Sequence, residues 1–470
     1  MNKYEELMAR KSQIMLKSVG IDFDKYEAGK LSFNYEGLMR DVGYCLEEVR
    51  EIQKEAGVGN TPIIELKNIT KLARKASKTG KAARIFIKDE SCNPSGSFKD
   101  RRASVSVYDA MKRGYKGVAA ATSGNYGAAV ASQANIRGLK CIIANECYDS
   151  RKIGQPEIIE KGRKCEGYGA EVVRLTVGPE LFYTYLKILE DTGYYNASLY
   201  SSYGIAGVET LGYEIAEQCR EKFERDPSAV VVTHAGGGNV TGTARGLIKA
   251  GALDTKIIGA SVDLSGLHMA SDIAFNKKSF TTGHTGFGIP FMTNPDRSDV
   301  PRSAARPLRY MDRYVTISQG EVFWMTEVLA QLDGLERGPA GNTSLAAAFA
   351  IAQEYDNDEI IVVQETEYTG AGKHPIAQLN FAKENGIEII IGNPKEEVPG
   401  KNIILPSHPS LVSVTDANMK ELRKSYIRNS LKRIKGTEIE QRDLKFLLEE
   451  TKLSLRETKE LLKENNISIE

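Results

Sequence analysis

Between Arg84 and about Thr366, short apolar runs rich in β-branched residues alternate with longer amphipathic stretches, and this rhythm constrains the fold more than any other feature. The runs are ARIFIKDE, KGVAAAT, LKCIIAN, AEVVRL, AVVVTHAG, TKIIGASVD and DEIIVVQET. A strand with one wet face alternates polar and apolar residues, whereas several of these are apolar throughout and need cover on both sides. Strands of that kind, separated by helices, predict a buried parallel sheet and an α/β fold.

The flanks differ. The first sixty residues place apolar side chains at helical spacing, notably in YEGLMRDVGYCLEEVREIQKEA, before the break at Asn60, Thr61 and Pro62. Beyond about Thr415 the chain is dense in both charge signs, with Leu and Ile at helical spacing. It reads as a helical tail, either packed on the body or used for association, with a solvated appendage the expected form. The expected organisation is an N-terminal helical extension over 1–60, a larger α/β unit over 61–94 and 206–405, a smaller one inserted over 95–205, and the tail over 410–470.

With 63 Lys+Arg against 62 Asp+Glu, the net charge of +1 lacks the basic excess of a nucleic-acid binder and the charge imbalance of a disordered chain. No apolar run approaches the ~20 residues that span a bilayer. The opening MNKYEELMARKSQIMLK has no secretory h-region, so no membrane or nucleic-acid partner is expected and the cytoplasm is the expected compartment. Six scattered cysteines, without C-x-x-C or Cys/His spacing, read as small buried hydrophobes. The chemistry is therefore sought without a metal.

Four strand-end turns carry it. In KDESCNPSGSFKDR a helix begins near Ser97 with Lys99 in its first turn, where the positive end of the helix dipole disfavours an ammonium. Such a lysine is readily held neutral or as an imine, the state a Schiff base with a carbonyl cofactor requires; an exposed snorkelling lysine is the alternative. In ATSGNYGAA, Thr122, Ser123, Gly124 and Asn125 can present hydroxyls and backbone N–H groups to a carboxylate, or can form an ordinary N-cap. In VVVTHAGGGNVTGTARG, Gly236, Gly237 and Gly238 lead into a helix opened by Asn239, a place for a phosphate; His234 before them is expected to be structural. The loop is neither a dinucleotide fingerprint nor a P-loop. In IIVVQETEYTGAGKHP, glycines bracket the hydroxyl of Thr369, which can meet a heterocyclic nitrogen or simply turn the chain.

SGSFKDR, TSGNYG, GGGN and TGAGK, in this order and spacing, resemble the threonine synthase and tryptophan synthase β-subunit group of pyridoxal-phosphate enzymes, fold type II, over roughly 55–395. The resemblance implies Lys99 as the residue that binds pyridoxal 5′-phosphate covalently, Asn125 on its 3′-oxygen, Gly236 to Asn239 around its phosphate and Thr369 at its pyridine nitrogen. It also implies that the 122–125 turn holds the substrate carboxylate. Two departures point away from the name-giving activities: Arg102 stands where threonine synthases usually carry a small residue, and the glycine loop lacks the serine of tryptophan synthase.

With EAGVGNTP, DLSGLHMASD and LERGPAGNTSLAAA included, the chain resembles the β subunits of 2-amino-4-oxopentanoate thiolases of anaerobic ornithine degradation. That likeness implies a small separate α subunit, an oligomeric enzyme, and 2-amino-4-oxopentanoate and coenzyme A as substrates giving acetyl-CoA and alanine, the D form being expected. The alternative is a β-replacing or β-eliminating enzyme resembling threonine synthase. Arg297, Arg302, Arg306, Arg309 and Arg313 can hold a polyanionic coenzyme A tail or serve as structural ion pairs, the latter being the expectation. Glu336 resembles a family position near the substrate.

Overall fold

The apolar runs form the sheets the sequence predicts. The computed structural model describes residues 3–122, 124–148, 152–154, 156–176, 180–264, 292–294, 296, 298–368, 375–434 and 436–470. In chain order the strands are β1 (Ile63–Glu65), β2 (Arg84–Asp89), β3 (Gly117–Thr122), β4 (Lys140–Tyr148), β5 (Glu171–Thr176), β6 (Tyr195–Asn196) and β7 (Ala229–Thr233). They continue with β8 (Lys256–Val262), β9 (Arg313–Ile317), β10 (Ile360–Glu365), β11 (Glu388–Gly392), β12 (Asn402–Pro406) and β13 (Thr415–Asp416).

A seven-stranded sheet has the order β1-β2-β10-β7-β8-β9-β13, and a four-stranded one the order β5-β4-β3-β6. The four-stranded sheet is wholly parallel, and only the edge strands β1 and β13 of the larger one run antiparallel. The reason for the apolar runs is visible in β7. Val230 and Val232 join one core cluster, with Val208 and Leu211 of the Ser202–Phe223 helix and Val240 of the Gly238–Lys249 helix. Val231, on the opposite face, joins another with Met325, Leu345 and Phe349 from the Gln319–Asp333 and Pro339–Ile351 helices. Each valine so buried contributes about 1.5–3 kcal/mol, and a polar residue at any of them would face a core on either side. β5 departs from this: it is an edge strand with a partly exposed face, which AEVVRL alone does not reveal.

The Ser202–Phe223 helix ties the two halves of the site together. A Cβ at Gly207 would stand 1.9 Å from the Arg101 carbonyl oxygen, and one at Gly246 would stand 2.0 Å from that of Glu209. Glycine at these two points lets the helix lie backbone to backbone against the Lys99–Lys112 and Gly238–Lys249 helices, both of which open at candidate ligand turns.

The expected solvated tail is instead packed on the body. Its helices Met419–Leu431, Gln441–Thr451 and Leu455–Glu464 put Tyr426, Ile427, Leu447 and Leu461 into the same core as Met15, Phe33 and Leu38 of the N-terminal helices. Asp443 accepts backbone N–H bonds from Leu31 (2.9 Å) and Ser32 (2.8 Å), so the two ends of the chain clasp each other. The described arginines of the 297–313 cluster are committed to this clasp and its surroundings. Arg302 pairs with Glu27 (2.7 Å), Arg306 with Glu450, Arg309 with Glu449 (3.2 Å), and Arg313 with Asp416 (2.6 Å). Their structural reading holds, and Arg297 lies outside the described residues. The cysteine expectation needs correction, because Cys45 and Cys92 are exposed while the other four are buried. Cys45 occupies the N-cap position of the Leu46–Glu55 helix, where exposure is natural.

Candidate active site

In a parallel α/β sheet the strands' carboxyl ends point toward one rim, where the loops are free to hold ligands. Here the segments after β3, β7 and β10, and the turn that follows β2, meet around a cavity of about 180 Å³. Lys99, Thr122, Gly124, Asn125, Gly236, Gly237, Gly238 and Asn239 all line it. Ser123 and Thr369 lie outside the described residues.

The lysine turn is held by backbone stitching. Phe98 N–H donates to the Thr366 carbonyl (3.0 Å), and Tyr368 N–H to that of Gly96 (2.9 Å). Gly96 has φ +75°, and a Cβ there would stand 2.6 Å from the Tyr368 carbonyl oxygen, so this crossing requires glycine. Lys99 is the first helical residue, and its ammonium stands 3.7 Å from the buried Glu367 carboxylate and 4.6 Å from the Phe98 ring centroid. The unfavourable helix end is thus offset by a carboxylate brought from the segment after β10.

The neighbours of Lys99 in the KDR motif face inward. Buried Asp100 accepts from Ser95 N–H (2.7 Å) and Ser95 Oγ (2.6 Å), fastening the turn. Burial pushes its carboxyl up to about 7, against the hydrogen bonds from Ser95, which pull it down. A carboxyl raised on folding contributes stability that is complete below its unfolded pKa, about 4, and is lost as pH rises through the folded value. We expect wild type to lose on the order of 1–3 kcal/mol between pH 5 and 8 through this group. Asp100→Asn should flatten that dependence in urea titrations across this range, and an unchanged slope would contradict the assignment.

Arg101 is fully buried and donates to Glu90 (2.7 Å) and Glu214 (2.8 Å); Lys88 reaches Glu214 at 2.9 Å. Two cations and two carboxylates form a neutral buried cluster beneath the lysine turn. Burial opposes ionisation of Glu214, yet Arg101 and Lys88 hold it well below the usual carboxylate range.

Asn125 and Asn239 point most clearly to a ligand site. Both open helices at the cavity, are 2% and 7% exposed, and have neither side-chain oxygen nor nitrogen paired with any described residue. Buried amides left so are costly, and a polar group in the cavity would satisfy them.

The glycine run has steric causes. Gly237 has φ +83°, while a Cβ at Gly236 would be 3.0 Å from Tyr200 Oη and one at Gly238 would be 1.9 Å from Arg102 Nη2. His234 is placed by its own backbone, donating to the Ala260 carbonyl at 2.8 Å and accepting from Ser261 Oγ at 2.6 Å, with its ring edge-to-face on Tyr314. The ring of His234 also borders the cavity.

Glu336 is exposed and does not line the cavity; Arg337 beside it pairs with Asp89. Other residues that line the cavity carry no signal in the sequence. Glu146 at the end of β4, Lys161, paired with Glu157, and Asp299, held by Ser198 Oγ at 2.9 Å, are buried there beside Leu181 and Phe182. None stands in a glycine-marked turn, so no local pattern distinguished them. Glu367 was within a quoted segment, but its pairing with Lys99 depends on tertiary contact.

A lysine at a helix start, a glycine turn before a second helix and two asparagine amides without partners among the described residues line one cavity, a set of groups whose chemistry suits a phosphorylated aldehyde cofactor. The family described as "Pyridoxal-phosphate dependent enzyme" matches residues 54–367. The 2-amino-4-ketopentanoate thiolase beta subunit of Acetoanaerobium sticklandii is 64% identical over 461 residues, 98% of this chain and 98% of that relative. Another protein of the same name, from an unknown prokaryotic organism, is 66% identical over 96% of this chain and 95% of its own length. A threonine synthase of Synechocystis sp. is 31% identical, but over only 39% of the chain and 44% of that relative. The chain belongs to the pyridoxal-phosphate-dependent enzymes and, within them, to the family of 2-amino-4-ketopentanoate thiolase β subunits.

Proposed function

We propose that the chain is the catalytic β subunit of an oligomeric cytoplasmic thiolase that acts with a small α subunit on 2-amino-4-oxopentanoate and coenzyme A, in ornithine degradation. The observation that carries the reading is the convergence of Lys99, the two unpaired asparagines and the glycine loop on one cavity, in a chain 64–66% identical to such subunits along nearly its whole length.

Each residue has a defined task. The backbone N–H groups of 236–239 would hold the cofactor phosphate, the Asn125 amide would bond its 3′-oxygen, and the Thr369 hydroxyl would serve its pyridine nitrogen. The 122–125 turn, Ser123 included, receives the substrate carboxylate. Bound pyridoxal phosphate supplies an electron sink conjugated to the substrate's Cα. Lys99 holds the cofactor at rest, then carries a proton from Cα. Glu367, close to Lys99 Nζ, keeps that amine oriented, while Phe98, Leu181 and Phe182 exclude water. The coenzyme A sulfur adds to the C4 ketone, the C3–C4 bond breaks, and the acetyl group leaves on sulfur. C3 takes up the proton released by the thiol and becomes the methyl group of alanine, while Lys99 returns a proton to Cα. The larger and smaller units flank the cavity, and their closure over substrate completes the site.

The test is an assay of the chain with and without its α subunit. Equimolar acetyl-CoA and D-alanine from 2-amino-4-oxopentanoate and coenzyme A support the reading. Turnover of a phosphorylated or acetylated hydroxyamino acid, with no thiolysis, would place the chain among the β-replacing enzymes.

A further inference from the structure

Arg102 is buried without a charge partner among the described residues. It is 4% exposed, and no carboxylate of a described residue pairs with it. Nη2 donates to the Leu199 carbonyl, Nε has no partner among the described residues, and the guanidinium lies 5.8 Å from the Tyr126 ring centroid. Burial accordingly lowers its pKa, with only Tyr126 and Tyr200 acting the other way. Arg101, one residue earlier, shows the contrast: fully buried, it is gripped by two carboxylates.

A guanidinium taken out of water without a counter-ion is strongly disfavoured unless a ligand supplies the charge. Arg102 lines the cavity and touches the glycine loop so closely that any side chain at 238 would collide with it. The glycine loop and the guanidinium therefore border the same cavity, and a dianion held by the loop there would also meet Arg102.

We propose that Arg102 is the buried charge partner of the cofactor's phosphate, and that position 238 is glycine to admit it. The inference rests on the reading that residues 236–239 receive that phosphate. It also gives a role to the residue by which this sequence departs from threonine synthases. The substrate carboxylate is an anion of similar chemistry, but the turn proposed to hold it, 122–125, is a separate segment.

The test uses the full-length chain freed of cofactor, as wild type, Arg102→Met and Arg102→Lys, titrated with pyridoxal 5′-phosphate and with pyridoxal, which lacks the phosphate. Arg102→Met should weaken pyridoxal phosphate binding by roughly 10- to 100-fold, the loss of a charge-assisted hydrogen bond, and leave pyridoxal within about threefold. The melting temperature of the cofactor-free variant should equal or exceed wild type, and the 31P resonance of bound cofactor should shift in both variants. Equal weakening of both ligands, or a lower cofactor-free melting temperature, would make Arg102 structural and overturn the inference. Unchanged pyridoxal phosphate binding with weakened D-alanine binding would transfer Arg102 to the carboxylate and overturn it too. Wild type binding pyridoxal as tightly as its phosphate would instead remove the underlying reading of the loop.

Discussion

Lys99→Ala should yield a folded protein that binds pyridoxal phosphate only reversibly and has lost roughly 10²–10⁴-fold or more of its turnover. The magnitude follows from the two tasks assigned to one amine, holding the cofactor and carrying the Cα proton. Folding should survive because the side chain lines a cavity and is 24% exposed, and its ionic contact with Glu367, at 3.7 Å, is long. The measurement is single-turnover kinetics beside the visible spectrum of the variant. Near-wild-type turnover would require another base and would remove Lys99 from the centre of the mechanism.

Arg101→Met should destabilise the chain by about 3–5 kcal/mol, the usual consequence of removing one partner from a buried ion pair. Glu90 and Glu214 would then face Lys88 alone, with two negative charges against one in a fully enclosed space. Arg101→Lys should recover only part of the loss, because an ammonium cannot fork to both carboxylates at once. Urea unfolding midpoints measure the effect. A change below about 1 kcal/mol would mean the cluster is surface-like in strength. Because Arg101 shares a helix with Lys99, activity should fall faster than stability in partially stable variants.

Much of this was legible before any coordinates. The β-branched runs marked the central strands because a doubly covered strand has no polar face to confuse its period, and the glycine turns marked ligand loops because backbone approach needs glycine. The KDR motif was only one-third legible. Lys99 was marked by its odd place at a helix start, whereas Asp100 and Arg101 act on residues distant in sequence, Gln133 and Glu214 among them. The tail misled for a related reason. Its helices are charged on one side, and nothing local shows that Leu447 or Tyr426 meets the N-terminal helices. The arginine cluster, by contrast, followed its expected reading, with partners such as Glu450 and Asp416 supplied from the tail.

The most direct test is borohydride reduction of the cofactor-loaded protein, followed by peptide mapping by mass spectrometry. The account predicts one modified peptide, with the reduced cofactor on Lys99 in the segment SGSFKDR. Modification of a different lysine, or a cofactor washed away unreduced, would contradict it.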